Sequence, residues 1–515
     1  MSRKPDVTRW SLQYLGLTAV ICAVLILLLG QLGTIFAQAT ERDQLYRYFE
    51  EALSPIRSGV SVVKWRPAKV PLDRVFGPAE ENLIGMAMTS AWATHAAALE
   101  TGSPLGLSDY FSGIGLERAE RSLAMPGVRM AVLGQIARPV YFHADGSLVQ
   151  VKTEALVSRF RVTENGDFEA LSVTRDSMLT TLRNDVLGWR IISHERDGVE
   201  ALSTPAPAVE IEPAAGINYY PSKTPWSRFW SEFDPHVVAE DFTRVADLGA
   251  NTVRIFLQRE DFLERDRASK ALADLKTLLA LAGDAEIKVV PTLFDMRGGY
   301  ETVKWANDMA YLEGVLPVLA ASEHVAYVDL KNEPDLDMEN QGQGQVEAWA
   351  RTMLAASRAL APELAYTIGW SAPSAAHIMA DTLDLITYHD YGPIEESAAS
   401  LAAVREAAGQ RQVHVTELGE TSFSLFVGRF PSSPDAQAER LSARLTALAN
   451  ADGLFVWTLN DFPDPDHTAV GRSPWVIALQ SRFGLYSQSG APKPAAAAVA
   501  RAYKDFLTSF KGDLL

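Results

Sequence analysis

From Gly216 onward the chain alternates between two kinds of segment, and few folds accommodate that rhythm. Short apolar runs stand at Ile217–Tyr220, Thr252–Leu257, Lys288–Leu293, Val325–Leu330, Ala365–Ile368, Leu383–Tyr388, Val413–Glu417 and Leu454–Thr458. Amphipathic stretches lie between and after them, as at Val237–Leu248, Lys270–Ala282, Val346–Ala361, Ala436–Ala449 and Pro494–Phe510. Strands that alternate with helices pair in parallel, because each crossover carries the chain back to its starting edge. Eight such units in the remaining 300 or so residues predict an α/β fold, a (β/α)8 TIM barrel, whose ordinary size is about 250 residues. A doubly wound sheet would place a glycine-rich phosphate turn after its first strand. No glycine stands between Ile217 and Trp226.

Ahead of the barrel the pattern differs. No charged residue occurs from Tyr14 to Ala37, about the length needed to cross a bilayer as a helix. Arg3, Lys4 and Arg9 precede that run, and Glu41 and Asp43 follow it. The bias predicts a single-pass anchor in the inner (cytoplasmic) membrane, with the N-terminus in the cytoplasm and the remaining chain periplasmic. Ala37-Gln38-Ala39 resembles a signal cleavage site, but the apolar run exceeds the roughly 7–15 residues usual for a secretory signal. A cleaved, freely secreted form is the competing expectation.

Residues 40–203 read as an α+β domain. Leu45, Tyr48, Phe49 and Leu53 recur at helical spacing within Thr40–Ile56. Strand-like runs follow at Arg129–Ile136, Val140–Phe142, Leu148–Phe160, Leu171–Leu182 and Gly188–Ile192, with Asp145-Gly146 and Asn165-Gly166 as hairpin dipeptides. This pattern, with its Gly188-Trp189-Arg190-Ile191 ending, resembles the NTF2-like fold and implies a spacer or docking module. Pro205, Pro207 and Pro213 mark a linker. The predicted division is therefore 1–39 for the cytoplasmic tip and anchor, 40–203 for the α+β domain, 204–215 for the linker and 216–515 for the barrel.

Composition removes other classes. The 515 residues carry 47 Lys+Arg against 64 Asp+Glu, a net charge of −17, which argues against a nucleic-acid partner. Cys22 is the one cysteine, so no intrachain disulfide and no cysteine-based zinc site can form. Nothing in the pattern calls for a cofactor or a metal. Asp461, Asp464, Asp466 and His467 lack the spacing of a calcium loop and read as a proline-stiffened loop near the mouth. Lys270, Asp274 and Lys276 read as a solvated helix face.

In a barrel of this kind functional side chains sit at the C-terminal ends of strands. Lys331-Asn332-Glu333-Pro334 follows the fourth strand and Thr416-Glu417-Leu418-Gly419 ends the seventh. Two carboxylates facing each other across the mouth are what retaining glycoside cleavage requires. Glu420 is the neighbouring acid that could replace Glu417 in that role.

Val325–Asp335 resembles the strand-four signature of the clan A glycoside hydrolases, and His414–Gly419 resembles their strand-seven nucleophile motif. Arg254 in Thr-Val-Arg-Ile, His389-Asp390-Tyr391, Trp457 and the Gly484-Leu485-Tyr486…Lys493-Pro494 approach to the last helix are similar to family 5, the cellulase-like members, in particular. The resemblance implies Glu333 as acid/base and Glu417 as nucleophile, with Arg254 and Tyr391 supporting Glu417. It also implies Asn332 on the sugar 2-hydroxyl, His389 in the substrate-binding set and Trp457 as the floor of a sugar subsite. Asn218, Tyr219 and Tyr220 end the first strand as further subsite candidates. Asp295 joins the substrate-binding set where family members often carry a histidine, and the sugar's identity stays open there. The expected partners are a β-linked glycan, the lipid bilayer and polysaccharide synthesis or export proteins. The expected activity is hydrolysis or transglycosylation. A non-catalytic glycan-binding or scaffold subunit of an envelope assembly is the alternative.

Overall fold

The computed structural model describes residues 63–202, 211–425 and 432–512. The apolar run at 14–37, the helical pattern at 40–56 and most of the proline-rich linker lie outside those residues. Among the described residues no helix is long and apolar enough to cross a membrane.

The first unit is a five-stranded sheet in the order β1 (Val63–Trp65), β2 (Val128–Phe142), β3 (Leu148–Val162), β4 (Phe168–Asp185) and β5 (Gly188–Ala201). β1 runs parallel to β2, and the other neighbours are antiparallel. The two runs expected on either side of Pro139 are one strand. The register shifts between Pro139 and Tyr141, so the missing proline N–H falls at an irregularity and interrupts no regular ladder. A helix at Pro78–Thr101 packs on β2 and β5, and the sequence reading had placed no element there. Its Ala-Trp-Ala-Thr-His-Ala-Ala-Ala centre is buried on nearly every side, so it has no apolar stripe of helical period to betray it. Its ends are nonetheless conventional. Glu80 accepts from the Gly77 N–H at 3.1 Å, Pro78 opens the first turn, and Gly102 closes the last at φ +71°.

The second unit is a closed parallel barrel. Its strands are β6 (Ala214–Asn218), β7 (Thr252–Phe256), β8 (Lys288–Phe294), β9 (Val328–Asn332), β10 (Tyr366–Trp370), β11 (Ile386–Asp390), β12 (Val413–Leu418) and β13 (Gly453–Val456). They pair in sequence order, and β13 closes on β6. Strands expected to begin at Val325 and Leu383 begin three residues later. Val325 forms only an isolated bridge to Val289, and Leu383 is buried ahead of its strand. Apolar pattern reports burial, and burial begins before pairing does. β6 starts earlier than expected, at two alanines inside the stretch assigned to the linker. Gly216 is obligatory within it, because a Cβ there would lie 2.1 Å from the Phe455 ring.

The two units share a core. Ala131, Leu133, Phe160 and Val162 of the sheet belong to the apolar cluster that fills the barrel's outer layer. Phe160 stacks on Trp305 with centroids 5.2 Å apart and planes 11° from parallel. Around that contact Ser158 bonds Thr352 at 2.8 Å, Arg129 bonds Gln345 at 2.5 Å and Lys64 pairs with Glu313 at 2.7 Å. A spacer swinging on a linker would make no such contacts. Sheet and barrel therefore unfold together, and Phe160→Ala costs about 3–5 kcal/mol. Urea titration followed by fluorescence checks this, and two separate wild-type transitions would contradict it.

Candidate active site

The C-terminal ends of the barrel strands converge on one guanidinium. Arg254, on β7, has no solvent exposure. Its Nε and Nη2 donate to Asp329 Oδ2 at 3.1 and 2.7 Å, and Nη1 donates to Glu417 Oε1 at 2.6 Å and Asn218 Oδ1 at 3.0 Å. Nη2 also reaches Asn332 Oδ1 at 2.8 Å. Burial would depress the arginine's basicity, but the Asp329 and Glu417 charges outweigh it and hold the group firmly protonated. Asp329 is itself fixed by Thr292 Oγ1 at 3.0 Å and the Gly369 N–H at 2.9 Å. Sequence reasoning missed Asp329. An aspartate mid-strand between Val328 and Leu330 is a signal in retrospect, because a buried charge requires a partner.

Glu333 and Glu417 face each other over this base. One carboxylate oxygen of each and a His389 ring nitrogen all lie within 4.8 Å of one another. Glu417 Oε2 accepts from the Tyr391 hydroxyl at 3.1 Å. Glu333 Oε1 meets His389 Nδ1 at 2.7 Å, while Nε2 of the same ring is 3.8 Å from Glu417 Oε1. The Glu333 backbone is in the left-handed region at φ +47°, a conformation a non-glycine residue adopts only where its surroundings enforce it. Its N–H bonds to the Gly369 carbonyl at 2.7 Å. Gly369 has to be small, because a Cβ there would come within 3.1 Å of Asp329, Arg254 and His389 at once. The three acid and imidazole groups have metal-ligand spacing, but Arg254 already supplies the positive charge at that point.

The Glu333–His389 contact sets where a proton resides. Burial opposes ionisation of Glu333, yet the His389 hydrogen bond and charge, followed by Arg254 and Lys331, pull its carboxyl below the usual range. Burial likewise opposes charging of His389, and the Glu417 charge with the Glu333 hydrogen bond overrides it and raises the imidazole. In the resting site the pair holds one proton, on the histidine side.

The remaining expected residues divide. Trp457 follows β13, is 7% exposed, and lies among Tyr220, Trp226, Phe256 and Phe462, which fix its ring at the mouth. The peptide bond after it is cis. Asn218 is fully buried, accepting from Arg254 and donating to the Thr416 carbonyl at 2.9 Å, so it holds the framework beneath the mouth. Tyr219 points away, into Phe229 and Phe242. Asp295 Oδ2 takes the Tyr220 hydroxyl at 2.8 Å and Gln258 Nε2 at 3.3 Å, and burial raises its carboxyl. Glu420 lies outside the cluster, ion-paired with Arg440 and Arg444 at 2.9 Å each. The Asp461–His467 carboxylates are also committed. Asp461 takes Lys493 at 2.8 Å, Asp464 pairs with Arg228, and Asp466 caps the turn at His467–Val470.

The loop after β8, which carries Asp295, is anchored by residues the sequence did not flag. Arg297 donates to Asp308 at 3.1 and 2.6 Å and lies 4.6 Å from the Tyr300 and Trp349 ring centroids. Asp308 also takes Arg259 at 2.5 Å. The sheet domain contributes, since Glu100 accepts from Thr302 Oγ1 at 3.0 Å, and Gln345, held by Arg129, donates to the Tyr300 carbonyl at 2.7 Å.

No family model matches the chain, and no curated protein matches it in sequence. Solved structures are similar to it. A GH5_18 protein from Streptomyces cattleya in complex with GlcNAc is 21% identical over 58% of this chain and 81% of its own, at a TM-score of 0.48. An exo-β-1,4-mannosidase from Opitutaceae bacterium strain TAV5 is 23% identical over 57% and 59%, at 0.48. A GH2 β-galacturonidase from Eisenbergiella tayi is 12% identical over 73% and 72%, at 0.45.

Removing Asp329 would strand a buried guanidinium. Asp329→Ala is expected to cost about 3–5 kcal/mol in denaturant unfolding. An unchanged midpoint would show that Arg254 does not depend on it.

Proposed function

We propose that this chain cleaves or transfers β-linked glycosides with retention, using Glu417 as nucleophile and Glu333 as acid/base. The observation that carries this reading is the close approach of two carboxylates at the ends of β12 and β9, one oxygen of Glu417 lying within 4.8 Å of one oxygen of Glu333. Double displacement needs carboxyl groups about 5–5.5 Å apart, whereas inversion leaves about 6.5–9.5 Å for a water.

In the first step a Glu417 oxygen bonds the anomeric carbon as the bond to the leaving oxygen breaks, and that oxygen takes a proton from Glu333. In the second, Glu333 removes a proton from the acceptor hydroxyl, which attacks the same carbon and frees Glu417. Arg254 and Tyr391 orient Glu417 through one hydrogen bond to each oxygen. With its Oδ1 turned to Arg254, Asn332 keeps its N–H₂ for the sugar 2-hydroxyl. Trp457 offers its flat face to the pyranose ring. His389 stores the proton that Glu333 delivers. A bound glycan expels water from Glu333, favours its neutral form and draws the proton across the 2.7 Å contact.

The wider reading is an enzyme tethered through residues 14–37 in the inner membrane, its catalytic unit on the periplasmic side. There it would trim or transfer polysaccharide made or exported at that membrane, in company with the synthesis or export proteins. The five-stranded sheet with the helix Pro78–Thr101 against β2 and β5 supports an NTF2-like assignment for the first unit.

A panel of β-glycans incubated with the intact protein tests the activity. Glu333→Ala is expected to lower kcat by about 10²–10⁴-fold and Glu417→Ala by about 10⁴-fold or more. Full activity in Glu417→Ala, or no turnover on any β-glycan, would refute it. The pH profile tests the stored proton. The pair loses it as pH rises through the raised His389 value, so the alkaline limb of kcat/KM lies above the ordinary histidine range. In His389→Gln the proton rests on a carboxyl alone, and the limb moves to lower pH. An unmoved limb would remove His389 from the proton path.

A further inference from the structure

The three most exposed large apolar side chains among the described residues gather at one end of the five-stranded sheet. They are Val186 at 100%, Val75 at 82% and Leu187 at 66%. Val186 and Leu187 form the tip of the β4–β5 hairpin, closed by the Asp185–Gly188 pairing. The Asn184 N–H bonds to the Ser147 carbonyl at 2.8 Å, which holds that tip beside the β2–β3 turn. Val75 joins them because its neighbours are pinned to β2. The Arg74 guanidinium lies 5.6 Å from the Phe142 ring centroid, and the Phe76 ring lies 5.8 Å from it.

Charge at this end runs against the rest of the molecule. Arg66, Lys69, Arg74 and Arg183 stand exposed against Asp73 and Asp145, while the half-buried Asp185 at the tip is neutralised by Arg190, in a chain of net charge −17. A few isolated apolar tips cannot supply the roughly 800 Å² per partner of a stable protein interface. A lipid surface makes no such demand, because it takes apolar tips into its acyl boundary and cations against anionic headgroups.

We infer that this end of the sheet docks on the anionic lipid surface of the membrane that holds residues 14–37. The inference rests on reading those residues as a span. A single span fixes one point of the chain at the membrane and does not by itself decide which face of the described units meets the bilayer. The docking end supplies the orientation. At the opposite end of the sheet, Gly166 accepts from the Gly344 N–H at 2.8 Å, against the start of the helix Gln343–Leu360 near the active-site mouth. β3 spans 15 residues between the two ends, about 50 Å. Docking therefore holds the mouth about a sheet's length off the bilayer, facing away from it.

The test uses the full chain in nanodiscs with and without phosphatidylglycerol, carrying a bimane label and lipids with spin-label quenchers at shallow and at deep acyl positions, the deep one reading position 22 and the shallow one positions 187 and 336. Three positions are labelled singly: native Cys22, Leu187→Cys and Leu336→Cys, the latter two in a Cys22→Ser background. Leu336 is exposed just beyond Glu333, on the mouth side. The expected result is at least twofold quenching at positions 22 and 187 with phosphatidylglycerol present and none at 336. Arg183→Glu or high salt should weaken the signal at 187 alone. Quenching at 22 without quenching at 187 would overturn the docking and leave the span in place, and any partner for this end would then be a protein. No quenching at either would overturn both. None of these readouts depends on turnover, so they stand apart from the glycosidase reading.

Discussion

A guanidinium with no access to water is tolerable only if nearly all its donors are matched, and Arg254 meets that condition. Asp329 and Asn332 come from β9, Glu417 from β12 and Asn218 from β6, and each is placed by what the arginine needs. Two buried carboxylates stand against one fixed cation, so the arrangement is stable with Arg254 charged and present and costly in any other state. Orientation of the two residues nearest the chemistry follows as a by-product. Glu417 has one oxygen directed, and Asn332 has its amide turned.

Above that base the site is built from constraints that reinforce one another. Gly369 leaves room for three side chains at once and accepts the N–H of Glu333, whose backbone is held at positive φ. His389 touches Glu333 with one nitrogen and approaches Glu417 with the other, which makes the proton inventory of the two carboxylates a shared property. The loop carrying Asp295 is tied down by Arg297, Arg259 and Asp308, and then from the first unit by Glu100 of the helix Pro78–Thr101 and by Arg129 of β2. The first unit thus belongs to the architecture of the site's rim.

The barrel was legible because parallel strands buried on both faces leave continuous apolar runs, which survive in a single sequence. Their ends were less legible, since Val325 and Leu383 are buried without yet being paired. Glu333 and Glu417 could be located because strand-end position carries meaning in this fold. The network beneath them could not, because Asp329, Asp308 and Arg297 meet only after the chain has closed, and nothing local marks an aspartate as the partner of an arginine 75 residues away. For the same reason Asn218 and Tyr219 read as subsite candidates when one is framework and the other packs outward. The helix Pro78–Thr101 was missed for an opposite reason: it is surrounded, and amphipathicity is a signature of half-buried elements.

The central claim is that Glu417 forms a covalent bond to the sugar while Glu333 moves protons. The most direct measurement is to incubate the intact protein with 2-deoxy-2-fluoro-β-glycosides bearing a dinitrophenolate leaving group, digest it, and locate the added mass. The fluorine slows both steps, and the activated leaving group spares the first, so the intermediate accumulates. The account predicts one fluoroglycosyl group per chain, on the peptide containing Glu417, with none in Glu417→Gln. Label on Glu333 or Glu420, or turnover of a β-glycan with inversion and no adduct, would contradict it.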